Sequence, residues 1–144
     1  MNTDVTDSRD PSVVEHVRRY LTTDGADGYL EGGMTNLVIT TVGRRSGRRR
    51  RTGLFFGRDG DRYVLVASGS VPGRTRLPDW YLNLLAHPEA EVQVLADRFT
   101  VRAHRAEGAE RDRLWRMMLD RAPIYRRYAD QAPHEIPVVV LEHA

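Results

Sequence analysis

Two hydrophobic periods alternate along this chain. Residues 11–21, "PSVVEHVRRYL", set Val13, Val14, Val17, Tyr20 and Leu21 at three- and four-residue spacing, with Glu15, Arg18 and Arg19 off the stripe, which predicts a short amphipathic helix opened by Pro11. After a glycine-broken stretch, "TNLVITTV" is rich in β-branched residues and reads as a strand, and "RTGLFF" follows as a second. "GRDGDR" carries an Asp-Gly pair, a hairpin signal, and leads into "RYVLVAS". That run has no polar interruption, so burial on both faces is expected. "RFTVRAH" instead alternates Phe99, Val101 and Ala103 with Arg98, Thr100 and Arg102, the pattern of a half-exposed strand, and pairs with "EVQV" through "LAD". "LPDWYLNLLAHPE" lies between Pro78 and Pro88 and predicts a helix of about nine residues. "GAERDRLWRMMLDR" puts Leu114, Trp115, Met118 and Leu119 on one face and is expected as the longest helix. "IPVVVLEH" closes the pattern as a last strand.

This order predicts a mainly β chain with short packed helices, of α+β class: about six mostly antiparallel strands in a barrel. The βαβ alternation of a dinucleotide-binding fold is missing, and no 20-to-50-residue repeat appears. At 144 residues and 40% hydrophobic content, one domain over 11–144 is expected after a disordered tail, residues 1–10. No apolar run approaches the roughly 20 residues that span a bilayer. The polar, acidic start "MNTDVTDSRDP" does not read as a secretory signal, and with no cysteine there is no disulfide framework or thiolate metal site. A cytoplasmic location is the expectation.

Charge changes the picture at one place. Net charge is only +2, but all 22 basic residues are arginine, so a scattered arginine carries little meaning. Six of them occupy the eight positions from Arg44 to Arg51, in a turn between two strands. Guanidinium forks match phosphate and carboxylate oxygens, Ser46 adds a hydroxyl, and Gly43 and Gly47 allow backbone N–H groups to converge, so "GRRSGRRRR" is a candidate anion cradle. The spacing GxxxxGK[ST] of a P-loop is absent. From these residues alone, an anion cradle, a solvated turn and a nucleic-acid patch all stay open. The five histidines, 16, 87, 104, 134 and 143, show no metal-ligand spacing, and there is no GxSxG elbow. Asp59 and Asp61 flank a turn, where acids usually serve the backbone. Trp80 follows the stretch "GSVPGRTRL", read as flexible, and Tyr125 and Tyr128 share a face if "PIYRRY" is helical; both sets could pack a core or wall a planar ligand.

Taken in order, "LVITTVGRRSGRRRRTGLFFGRDGDRYVLVAS", "PDWYLNLLAHPEAEVQV", "RDRLW" and "YRRYADQAPHEIPVVVLE" resemble the deazaflavin (F420)-dependent nitroreductase family, also described as quinone reductases, over roughly residues 13 to 142. The resemblance implies a split β-barrel that binds coenzyme F420, a deazaflavin with a phosphodiester and an oligoglutamate tail, and passes hydride to a quinone or nitroaromatic. It places Arg44, Arg45, Ser46, Gly47, Arg50, Arg51 and Thr52 on the anionic tail, with Leu54 and Phe55 following. Arg48 and Arg49 are read as solvated turn. Val66, Ala67 and Ser68 would line the ring, with Trp80 and Asn83 of the WYxNL motif beside it. Tyr125 and Tyr128 would stand near the acceptor and, with Ser68, act in catalysis. Three positions depart from the family pattern: Gly69 where lysine is usual, Gly53 for a common proline, and Ala122 for an aromatic. Other readings are the same barrel holding FMN or haem, and a non-catalytic basic module binding nucleic acid or a membrane surface. The helix at 13 to 21 is a candidate for peripheral membrane contact even in the enzyme, for which no specific nucleic-acid partner is expected.

Overall fold

The computed structural model describes residues 5–68, 77–132 and 134–144. In chain order its elements are β1 (Val5–Thr6), α1 (Pro11–Thr22), β2 (Leu30–Glu31), β3 (Met34–Val42), β4 (Arg49–Phe55), β5 (Gly57–Asp59), β6 (Arg62–Val66), α2 (Asp79–Ala86), β7 (Glu89–Val94), β8 (Asp97–Arg105), α3 (Gly108–Arg121), α4 (Ile124–Gln131) and β9 (Val138–His143). The six strands read from the apolar pattern all form, as β3, β4, β6, β7, β8 and β9. Three more bring the sheet to nine, and each is only two or three residues long, too short to display a period. The ladder runs β1-β4-β3-β7-β8-β9-β6-β5, with β2 beside β3; among the described residues its ends do not pair, so the expected barrel is an open, curled sheet. Apart from the parallel β1–β4 pair, the strand pairs are antiparallel.

One face of this sheet folds around a common core of Leu37, Ile39, Leu65, Val92, Val101, Val139 and Leu141, and α2 packs its Tyr81 and Leu84 into it. Adjacent residues of β6 and β9 face the other way: Val64, Val66, Val138 and Val140 meet Leu114 and Met118 of α3. Both faces of these strands are therefore covered, which is why their sequences are continuously apolar. Strand β8 has one covered face, and Val101 is buried between exposed Thr100 and Arg102.

Helix α1 starts where Asp10 accepts a hydrogen bond from the Ser12 N–H at 2.9 Å, an ordinary N-cap ahead of Pro11. Its apolar stripe packs on the outer face of the sheet, Val17 and Tyr20 against Val38. The Tyr20 hydroxyl donates to the Asn36 carbonyl at 3.0 Å and accepts from the Leu95 N–H at 2.8 Å, pinning the helix to β3 and to the β7–β8 turn. Of the first ten residues, expected as a tail, Val5 and Thr6 pair with Arg49 and Arg50.

Asp59 closes the β5–β6 hairpin and receives hydrogen bonds from Arg113 at 2.8 and 3.0 Å and from Arg62 at 2.5 Å, so α3 is clamped to the hairpin. The Arg113 and then the Arg62 hydrogen bonds hold its carboxyl well below the usual carboxylate range. A depressed native pKa stabilises above the unfolded value, near 4, and the benefit fades as pH falls from there. Asp59→Asn should cost about 1 kcal/mol at pH 7, solvent screening of this surface network included. In urea unfolding the gap to wild type should shrink progressively below about pH 4; an undiminished gap would rule out the ionic origin.

Candidate active site

The arginine-rich turn between β3 and β4 closes on itself. Gly43 N–H donates to the Arg48 carbonyl at 2.8 Å, Gly47 N–H to the Gly43 carbonyl at 2.9 Å, and Arg48 N–H to Ser46 Oγ at 3.1 Å. Gly47 lies at φ +70°, a backbone conformation that glycine adopts without strain. The N–H groups of Gly43, Gly47 and Arg48, offered by the sequence as an open nest, are thus engaged within the turn. A second anchor comes from α2, on which Asn83 Oδ1 accepts from the Arg44 backbone N–H at 3.1 Å and from its Nη1 at 2.9 Å. Asn83 Nδ2 donates to Thr41 Oγ1 at 3.3 Å, and Arg44 Nη2 reaches Asp79 at 3.2 Å.

Strand alternation then divides the remaining arginines. Arg50 faces Thr41, Thr52 faces Ile39 and Leu54 faces Leu37 across the β3–β4 ladder, so Arg50, Thr52 and Leu54 share the face of the common core. Arg49 and Arg51 lie on the opposite face, where they pair with Glu91 and Asp7. Arg45, Arg48 and Arg50 have no ion-pair partner among the described residues. A Cβ built on Gly43 would stand 2.8 Å from Ser46 Oγ, 3.1 Å from the Arg48 carbonyl oxygen and 3.5 Å from Arg50 Nε, so the turn closes on this glycine too tightly for a side chain and brings the Ser46 hydroxyl and the Arg50 guanidinium together. Three guanidiniums in or next to one turn, without an acid partner among the described residues, are the kind of donor set that suits a multiply charged anion.

Further along β4 the two faces separate the other expected residues. Leu54 and Trp80 pack against the core that includes Ala67, with Arg50 and Leu54 about 13 Å apart along the strand. Phe55, Val66, Tyr125 and Tyr128 belong to the cluster beneath α3 and α4. Tyr125 has ring-centroid distances of 5.6 Å to Phe55 and 6.2 Å to Tyr128. Burial first, and Tyr128 second, push the Tyr125 hydroxyl pKa well above its ordinary value, so it keeps its proton. Ser68 follows β6 and is partly exposed. Direct hydrogen bonds join Arg44 to Asn83; no such bond joins the turn to either tyrosine among the described residues.

The departures at Gly53 and Ala122 have structural partners, whereas Gly69 and the stretch through Arg76 lie outside the described residues. A Cβ on Gly53 would stand 2.5 Å from His16 Nδ1, whose ring is held by a 2.8 Å Nε2 contact to the Gly28 carbonyl. Ala122 is buried after the last turn of α3. The sequence pattern does not reveal the holding roles of Thr41, Asp79, Asp7 and Glu91: the acids lie more than 30 residues from their arginines and Thr41 lies 42 from Asn83, so no local pattern links them. Two open clefts lie elsewhere: one of about 440 Å³ between α1 and β4, which includes His16 and Gly53, and one of about 420 Å³ along α4.

The chain is thus a curled, mostly antiparallel sheet with an arginine-rich turn, and a family model described as F420H(2)-dependent quinone reductase matches residues 12–143. An F420H(2)-dependent quinone reductase of Mycobacterium tuberculosis is 37% identical over 130 residues, covering 88% of this chain and 86% of that protein. Among solved structures, an F420-H2 dependent reductase, FDR-A, is 30% identical with a TM-score of 0.67, covering 74% of this chain and 93% of its own. A chain described as a domain-swapped dimer is 29% identical with a TM-score of 0.71, covering 90% and 93%. The chain belongs to the F420H(2)-dependent quinone reductase family, with its split-barrel architecture. It is an F420-dependent oxidoreductase.

Proposed function

We propose that this enzyme reduces a quinone with hydride from reduced F420, holding the coenzyme's anionic tail at Arg45, Ser46, Arg48 and Arg50 and its ring near Ala67, Ser68 and Trp80. The observation that supports this most directly is that Arg45, Arg48 and Arg50, in or next to the β3–β4 turn, have no carboxylate partner among the described residues, while Arg44, Arg49 and Arg51 each have one. The strand from Arg50 to Leu54 then offers about 13 Å of run between tail and ring. Arg48, read from sequence as solvated, joins the grip, whereas Arg51 is occupied by Asp7.

When bound, the reduced coenzyme supplies the hydride. The chain's own task is to fix ring and acceptor in reacting geometry and to manage charge and proton. Ser68, at the end of β6, would donate a hydrogen bond to the oxygen that gains negative charge. Tyr125, kept protonated by burial, and Tyr128, beside it, would hold the proton for the reduced acceptor. Nitroaromatics would enter as opportunistic acceptors.

No helix among the described residues is long and apolar enough to cross a membrane. We place the enzyme in the cytoplasm, and the apolar stripe of α1, a candidate for lipid contact, is packed on the sheet. A swapped dimer is the assembly that the 29%-identical neighbour suggests.

Titrating the protein with F420 while following tryptophan fluorescence, then oxidising the reduced coenzyme with a naphthoquinone present, tests the reading. Micromolar binding and quinone-dependent turnover are expected, and absence of binding would defeat it. Ser68→Ala should lower kcat at least tenfold with little change in coenzyme Kd, whereas the reverse split would contradict its role.

A further inference from the structure

Asn83 was assigned by resemblance to the neighbourhood of the ring, yet its side chain is turned to another use. It is 2% exposed, and both ends of its amide are engaged. The oxygen takes the backbone N–H and Nη1 of Arg44, and the nitrogen donates to the Thr41 hydroxyl. An amide buried with its hydrogen bonds made is costly to remove and fixes what it holds. It here joins the last inward residue of β3 to the first arginine of the turn. Asp79, one turn earlier on α2, holds the far end of the same guanidinium.

We infer that Asn83 is a positioning residue for the coenzyme's tail: it binds Arg44 and Thr41, and so holds the β3–β4 turn in the shape that presents Arg45, Arg48 and Arg50. Arg44 is then a strut of the turn, and its guanidinium is not a primary contact of the anion. This inference rests on the proposed tail site and adds a coupling to it. Helix α2 carries Trp80 three residues before Asn83, so one rigid helix sets both the aromatic wall and the arginine turn. An error in seating that helix would loosen the hold on both ends of the ligand.

The test compares two ligands, intact F420 with its oligoglutamate tail and a tail-free deazaflavin riboside, by equilibrium binding and over a range of salt. Wild type should bind the intact coenzyme at least a hundredfold more tightly, with the excess falling as salt rises. If it does not discriminate, the tail site itself fails, whatever Asn83 does. Given discrimination, Asn83→Ala should weaken intact F420 about tenfold or more, weaken the riboside less than threefold, and flatten the salt dependence. Asn83→Asp, which keeps the acceptor oxygen toward Arg44, should recover most of the affinity. Thr41→Val removes the other partner and should produce a smaller loss of the same kind, with melting temperature near that of wild type. Equal loss of both ligands in Asn83→Ala, or no loss of either, would overturn the inference.

Discussion

Replacing Arg45, Arg48 and Arg50 together with alanine should weaken F420 binding at least a hundredfold, that is by about 3 kcal/mol or more, while the protein melts near the wild-type temperature. The magnitude follows from three charge-assisted contacts worth roughly 1 kcal/mol or more each where water still reaches them. Stability should hold because none of the three has an ion-pair partner to lose among the described residues. Arg49→Ala and Arg51→Ala supply the contrast, since their charges are already matched by Glu91 and Asp7. Those variants should change coenzyme affinity less than threefold. Isothermal titration at low and high salt would separate the cases, and equal losses across both sets would return the run to a diffuse basic surface.

The second large effect is expected at Tyr125. Its ring is 3% exposed and packs with Phe55, Trp115 and Tyr128, so Tyr125→Ala should destabilise the fold by about 3 to 5 kcal/mol through the cavity it leaves. Tyr125→Phe keeps the ring and removes only the hydroxyl, so urea unfolding should change by less than about 1 kcal/mol. If that hydroxyl serves the acceptor, kcat should nevertheless fall about tenfold or more. Because the group stays protonated, wild-type kcat should show no ionisation of Tyr125 on the alkaline side up to pH 10. An alkaline limb lost in Tyr125→Phe would refute the buried-acid role, and full activity in that variant would move it to Tyr128.

Much of this was legible in the order of residues. The six long strands were readable because each covers or exposes whole faces, as Val64 to Val66 and Val101 show. The extra strands β1, β2 and β5 were not, since two or three residues carry no period. Closure was overestimated for a related reason: hydrophobic alternation reports which face is covered, and it is silent on whether the last strand meets the first. At the site, the turn and its glycines were visible, as was the likeness to F420 enzymes. The division of labour among the arginines was hidden, because their carboxylate and amide partners, Asp7, Asp79, Asn83 and Glu91, come from distant segments brought close only by folding. Gly53 shows the same limit: its missing side chain answers His16, 37 positions away.

The parity of β4 has a consequence for how such a site can change. A strand has no room for a gradual shift of its side chains, because a one-residue slip of β4 against β3 exchanges the two faces. Such a slip would carry Arg50 out to the surface of Asp7 and Glu91 and bring Arg49 or Arg51 inward, with every charge conserved and the matching of charges lost. An insertion that the turn absorbs would leave the faces as they are, whereas one that slips β4 by an odd number of residues would need a different set of acids to keep one arginine free.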